Sequence, residues 1–134
     1  MVNLGLVVAQ FNAAVTEEMA DAATEAAADR GVEIGETVRV PGVYDSPLAA
    51  DRLARREDVD AVAVVGAVVT GDTDHDQVIS SATAESLQSV ELDRDTPVAF
   101  GVSGPGQSGA EARERVDKGA EAVDAAVDMV EALP

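Results

Sequence analysis

None of the 134 residues is cysteine and none is tryptophan. The first absence excludes disulfide staples, thiolate zinc sites, iron–sulfur clusters and a cysteine nucleophile, so the chain stands on packing and electrostatics alone. Rings are nearly missing as well: Phe11, Tyr44 and Phe100 are the whole aromatic set in a chain that is 46% hydrophobic. The core is therefore aliphatic. Phe11 and Phe100 fall at or near the ends of predicted strands, which suits either a flat ligand against a ring face or two ordinary core residues. Positive charge is the third scarcity. Nine basic residues, of which Lys118 is the only lysine, face 26 acidic ones for a formal net charge of −17. With few rings to stack on bases and a field that repels phosphate backbones, the chain is not built to bind nucleic acid.

The acids are spread over nearly every predicted exposed helical face rather than gathered in one tail. That pattern suits a halophile, because in molar salt the Debye length shrinks to about 3 Å and self-repulsion is screened. Long hydrophobic runs are lacking too. Leu4–Ala9 and Ala61–Val69 are too short to span a bilayer, and Met1-Val2-Asn3 has no charged region of a signal peptide. A cytoplasmic protein is expected, with no membrane partner.

What the sequence does have is alternation. Short Val-rich runs at Leu4–Val8, Glu33–Val40, Ala61–Val69 and Val98–Ser103 predict four strands, the third apolar enough to be central. Between and after them, Val15–Arg30, Ser46–Arg56, Asp76–Leu92 and Gln107–Leu133 predict helices. Gly31 follows the first as C′, while Ser46 and Pro47 open the second as N-cap and N1. In the last helix Val116, Ala120, Val123, Val127, Val130 and Leu133 form one stripe. That helix is long enough for its outer parts to cover another subunit. The order predicts a single domain over 1–134: a three-layer α/β/α fold with a four-stranded parallel sheet, flavodoxin-like and doubly wound. In such a fold ligands sit beyond the carboxyl ends of the strands, here the loops Ala9–Ala13, Pro41–Ser46, Thr70–Asp76 and Gly104–Ser108.

The loop Thr70-Gly71-Asp72-Thr73-Asp74-His75-Asp76 leaves the most apolar strand and opens a helix. Unpaired backbone donors and a glycine make it a candidate phosphate cradle; a plain polar turn with Thr73 or Asp74 as N-cap is the alternative. His75 is the only histidine and so the natural candidate for proton transfer near neutral pH, unless it is a surface residue without a role. No metal site is expected, since one histidine among scattered acids is an incomplete ligand set. Arg113 and Arg115 are rare cations that suit a phosphate group, or ordinary helix partners for Glu111 or Glu114.

Taken in order, these segments resemble the lumazine synthase family in its archaeal form. Val8-Ala9-Gln10-Phe11-Asn12 is similar to the family's first-strand end, and Val40-Pro41-Gly42-Val43-Tyr44-Asp45-Ser46-Pro47-Leu48 to its Pro-Gly, aromatic and acid element. Gly66 to Asp76 resembles the strand, phosphate loop and catalytic histidine in unbroken order. Phe100 to Gly106 and Ala112 to Val116 extend the likeness, which runs on through Lys118-Gly119. Thr70 stands where bacterial members often carry a base, Asp45 replaces a common Glu, and the stretch from Arg115 to Lys118 is short; the archaeal form tolerates all three.

The resemblance implies a condensation of 5-amino-6-(D-ribitylamino)uracil with 3,4-dihydroxy-2-butanone 4-phosphate, without a cofactor. It implies that Phe11 stacks on the pyrimidine and that Val43, Tyr44, Asp45, Ala67, Val68 and Val69 hold the uracil edge and ribityl chain. Asp72 and Thr73 would bind phosphate through backbone donors, and His75 would shuttle protons. Phe100 and Arg115 would come from the neighbouring subunit of a pentamer, itself a possible unit of a 60-subunit shell. Three other readings are weighed against it. Archaeal riboflavin synthase is related but lacks the Gly-acid-Thr-x-His run seen at 71 to 75. A non-catalytic flavodoxin-like binding module or a shell protein would need no such set as Phe11, Thr73, His75 and Arg115.

Overall fold

Every residue from Ala61 to Ala67 is buried, on both faces of the strand, which only an inner strand covered on each side allows. In the computed structural model, which describes residues 1–134, this strand is β3. It pairs in parallel with β1 (Asn3–Ala9) on one side and β4 (Val98–Ser103) on the other, and β2 (Glu33–Val40) lies outside β1. The sheet order is β2-β1-β3-β4.

Alternate residues of these strands feed two cores. Leu4, Leu6, Val8, Ala63 and Val65 pack under α1 (Ala13–Asp29) and α5 (Lys118–Ala132). Val7, Val62 and Val64 pack under α2 (Ser46–Ala54) and α3 (His75–Arg94), against Leu53 and Leu87. The result is the predicted three-layer α/β/α arrangement. Small residues decide how closely the layers approach: a Cβ on Gly119 would collide with the backbone of Met19, so α5 lies directly on α1 only because residue 119 has none. At the far end of this helix pair Arg30 reaches Asp124, Asp128 and Glu131 of α5. No helix is long and apolar enough to cross a membrane.

Three local expectations are corrected. The third strand stops at Ala67 rather than Val69, because Asn12 Nδ2 donates to Ala67 O (3.1 Å) and β1 has turned away, while Val68 N still donates to Ser103 O (2.9 Å). The final helix is broken in two. A short α4 (Gly109–Arg113), capped by Ser108 and Glu111, is separated from α5 by a turn of i to i+3 bonds: Arg115 N to Ala112 O, Lys118 N to Arg115 O and Gly119 N to Val116 O. Such a turn keeps side chains recurring at about every third residue, so the apolar stripe runs across the break and hides it from a periodicity argument. Ser46 does not cap α2 with its hydroxyl, which is buried and donates to Val43 O (2.7 Å). It closes instead the short 3₁₀ turn Val43–Asp45 that precedes the helix.

Candidate active site

The chain runs from β1 outward to β2 and then back across to β3, so the carboxyl ends of β1 and β3 part company and leave a crevice between their loops. A cavity of about 350 Å³ sits there. Phe11, Val43, Tyr44, Ala67, Val68, Val69 and His75 all line it, as do Asn12, Gly71, Asp76 and Ile79. Backbone geometry delivers each. Asn12 takes a left-handed conformation (φ 66°) that starts α1 and throws Phe11 outward, 74% exposed. Val43 rides above β3 because Gly66 has no side chain: a Cβ there would lie 2.6 Å from Val43 Cγ2 and 3.2 Å from Ala9 Cβ.

His75 is the first residue of α3, exposed at the cavity. Its own N–H is 3.3 Å from Thr73 Oγ1, so the Thr73 hydroxyl serves the helix start. No protein acceptor takes the N–H groups of Gly71, Asp72, Thr73 or Asp74. Four donors at the positive end of a helix are what an anion needs, and the Asp72 and Thr73 side chains need not enter the cavity for it.

The residue that composition and motif did not mark is Asp76. It is 5% exposed, and its Oδ2 accepts from Gly106 N (3.0 Å) and faces Thr70 Oγ1 at 3.3 Å. The Gly106 N–H holds its carboxyl below the usual carboxylate range, aided by the N–H groups of Gln77 and Asp76 itself and by Thr70, while burial opposes the shift. A charged clasp thus ties the loop after β3 to the loop after β4. No sequence signal could have found it, because its main partner is 30 residues away.

Asp72 and Thr73 precede His75 in its loop without lining the cavity, and three more of the expected residues lie elsewhere. Asp45 Oδ2 accepts from Gly42 N (3.0 Å), and Asp45 lines a separate hollow with Leu48, Thr83 and Ser86. Phe100 shares the parity of Val98 and Val102, which are buried in the core under α3, yet it is 38% exposed on the edge strand β4. Arg115, in the turn before α5, opens onto a second hollow of about 390 Å³ at the end of β4 with Lys118, Glu114, Asp117 and Glu121. Its Nη1 donates to Gln107 Oε1 (2.8 Å), and its Nη2 lies 3.6 Å from Glu111 Oε2; the expected pairing with Glu111 is there, and Gln107 is the closer partner. One chain therefore holds the Phe11 and Tyr44 rings and an imidazole in one cavity that the donor loop borders at Gly71, with Phe100 and Arg115 placed outside it. No three His, Cys, Asp or Glu side chains are gathered as metal ligands.

The family model described as 6,7-dimethyl-8-ribityllumazine synthase matches residues 1–134. A protein of that name from Halorubrum lacusprofundi is 73% identical over 133 residues, covering 99% of each chain. One from Halobacterium salinarum is 71% identical over 99% of this chain and 100% of its own. Another, from Methanocaldococcus jannaschii, is 44% identical over 99% of this chain and 94% of its own. The two more similar relatives come from halophiles, in keeping with the acidic composition.

Proposed function

The chain belongs to the 6,7-dimethyl-8-ribityllumazine synthase family, and from that premise we propose how its residues divide the work. The enzyme is a transferase of riboflavin biosynthesis. It condenses 5-amino-6-(D-ribitylamino)uracil with 3,4-dihydroxy-2-butanone 4-phosphate to give 6,7-dimethyl-8-ribityllumazine, phosphate and water, the penultimate step of the route. It acts on small molecules and assembles as an oligomer.

In our reading Phe11 stacks on the pyrimidine, and Ala67 to Val69 with Val43 and Tyr44 hold the uracil edge and the ribityl chain, while Asp45 acts by fixing the turn that carries them through its bond from Gly42 N. Asp72 and Thr73 offer backbone donors to the phosphate. His75 moves the protons. The neighbouring subunit of a pentamer supplies Phe100 over the other face of the heterocycle and Arg115 to the phosphate. The observation that carries this reading is the meeting of Phe11 and His75 in one cavity, bordered at Gly71 by a loop whose N–H groups at 71 to 74 have no protein acceptor. The outward placement of Phe100 and Arg115 supports their use by another chain. We read 1–134 as one domain that works in the cytoplasm without a cofactor. Light scattering in molar salt would tell pentamers from a closed 60-subunit shell.

The chemistry suits this small set of groups. The arylamine attacks the ketone and water leaves to form an imine. Loss of a carbon-bound proton then expels phosphate, the enol left behind becomes a ketone, and the second amine attacks that carbonyl and closes the ring as a second water leaves. Each step moves a proton, which an imidazole takes and returns, while holding two reactants in register supplies much of the acceleration. Departing phosphate gathers negative charge, which the loop donors and a guanidinium stabilise in place.

Mixing the two substrates with enzyme and following product absorbance tests the assignment. His75→Ala should lower kcat by about 10²-fold or more and leave KM for the ribityl pyrimidine nearly unchanged. Unchanged turnover would remove His75 from the mechanism.

A further inference from the structure

Gln107 lies outside the cavity and is only 1% exposed, yet every polar atom of its side chain is engaged. Nε2 donates to Ser103 Oγ (2.9 Å) and to Val68 O (3.3 Å), and Oε1 accepts from Arg115 Nη1 (2.8 Å). Its backbone carbonyl also accepts from Thr70 N (2.8 Å). The partners dictate which way the amide points. A backbone carbonyl only accepts and a guanidinium only donates, so the NH₂ must face Val68 and the oxygen must face Arg115. A carboxylate would set lone pair against lone pair at Val68, and an apolar side chain would release both ends.

Arg115 needs such a holder. Its side chain is 48% exposed, and its surroundings are acidic: Glu111 is 3.6 Å away, and Glu114, Asp117 and Glu121 line the same hollow. A long, flexible guanidinium left free there would fold onto the nearest carboxylate rather than stand ready for a phosphate. Gln107 is neutral, so it fixes the guanidinium without cancelling its charge.

We infer that Gln107 is the positioning residue for Arg115, bracing one guanidinium nitrogen against the cavity wall at Val68 while the other keeps only its longer pairing with Glu111. The inference rests on the reading that Arg115 contacts the phosphate of the butanone substrate. It also joins two sites: Val68 walls its own chain's cavity, while Arg115 serves the next one.

The test compares Gln107→Met, Gln107→Glu, Arg115→Ala and the double variant Gln107→Met with Arg115→Ala. Each is assayed as the assembled enzyme in molar salt for kcat and for KM of each substrate, with inorganic phosphate as a competing inhibitor. Both Gln107 variants should raise KM for the phosphate substrate about tenfold and weaken inhibition by inorganic phosphate in parallel. Saturated kcat and KM for the pyrimidine should stay within about threefold, and the double variant should be no worse than Arg115→Ala alone. A role confined to packing would instead lower kcat through loss of active enzyme and leave the KM values alone. If the Gln107 variants do not assemble, Ser103→Ala, which removes one holder of the amide, should shift KM for the phosphate substrate by about threefold in the same direction. The inference is overturned if Arg115→Ala raises that KM while the Gln107 variants, or Ser103→Ala in their place, leave it at the wild-type value. It is overturned equally if the effects of Gln107→Met and Arg115→Ala add. If Arg115→Ala has no effect on that KM, the assignment of Arg115 to the phosphate fails first and takes this inference with it.

Discussion

The cavity between β1 and β3 and the hollow at the end of β4 both open at the carboxyl side of the sheet, but they are made differently. The first is walled mainly by aliphatic side chains and backbone, with Ala67, Val68 and Val43 buried beneath it. Its shape follows from packing within one chain. The second is walled by Glu114, Arg115, Asp117, Lys118 and Glu121 and has a single apolar member, Val102. Its shape follows from where a few long charged side chains are held. The difference is one of construction: the first region is a rigid apolar crevice, and the second presents a rare cation held by the neutral amide of Gln107.

Salt should separate the two regions most sharply. Lowering it from molar to tens of millimolar lengthens the Debye length from about 3 Å to more than about 10 Å. Repulsion between acidic subunits then rises, and sites completed by a neighbour fail, so activity and assembly should fall together by well over about tenfold. Light scattering alongside the product assay checks this; a protein that stays assembled and active after dialysis would show that its charged half needs no screening.

Next in size is complementation. His75→Ala and Arg115→Ala damage different halves, so co-refolding equal amounts places an intact His75 beside an intact Arg115 at about one interface in four. Activity should return toward about a quarter of wild type, whereas mixing without subunit exchange should recover nothing. Mixed rings verified by mass that are no more active than either parent would put both residues to work within one chain.

Asp76 is the clasp between the two regions, and Asp76→Ala should loosen both loops at once. KM should rise several-fold for both substrates, unlike the one-sided effect expected at Gln107. A change in only one KM would mean that the loops move independently.

The smallest effect concerns acid. Asp76 is ionised at a lower pH in the folded protein than in the unfolded chain, so its contribution is fully present above its ordinary value and is lost as pH falls through the depressed one. Asp51, clamped by Arg94 and Arg55 between α2 and α3, behaves in the same way with its pKa lowered to about 2. Stability should therefore decline from about pH 4 downward. In Asp51→Asn the decline between about pH 4 and 2 should be shallower while the site is unaffected, as thermal melts across that range would report. An unchanged slope would mean that these exposed ion pairs contribute nothing measurable.

Much of this was legible in the residues. Four strands could be located because buried parallel strands read as apolar runs, and Phe11 and His75 stood out because the chain has so few rings and one imidazole. What escaped has a common cause. Asp76 and Gln107 each read as the first residue of a predicted helix; they are bonded to loops 30 and 39 residues away, which no local pattern encodes. Asp45 was legible as an acid in the right loop, but not as one whose Oδ2 is spent on the Gly42 N–H. The break before Lys118 escaped because a 3₁₀ turn nearly preserves helical spacing.

Gly66 carries one more consequence, for how such an enzyme can change. The 3₁₀ turn bearing Val43 and Tyr44 rests on a single hydrogen, so the height of that cavity wall is set by the smallest side chain there is. Gly66→Ala would lift the turn away from β3 at an overpacking cost of about 1–3 kcal/mol. Mutational drift can therefore reshape the rim from outside, through exposed Tyr44, far more freely than it can raise the floor; selection for a wider or narrower cavity would act first on the rim.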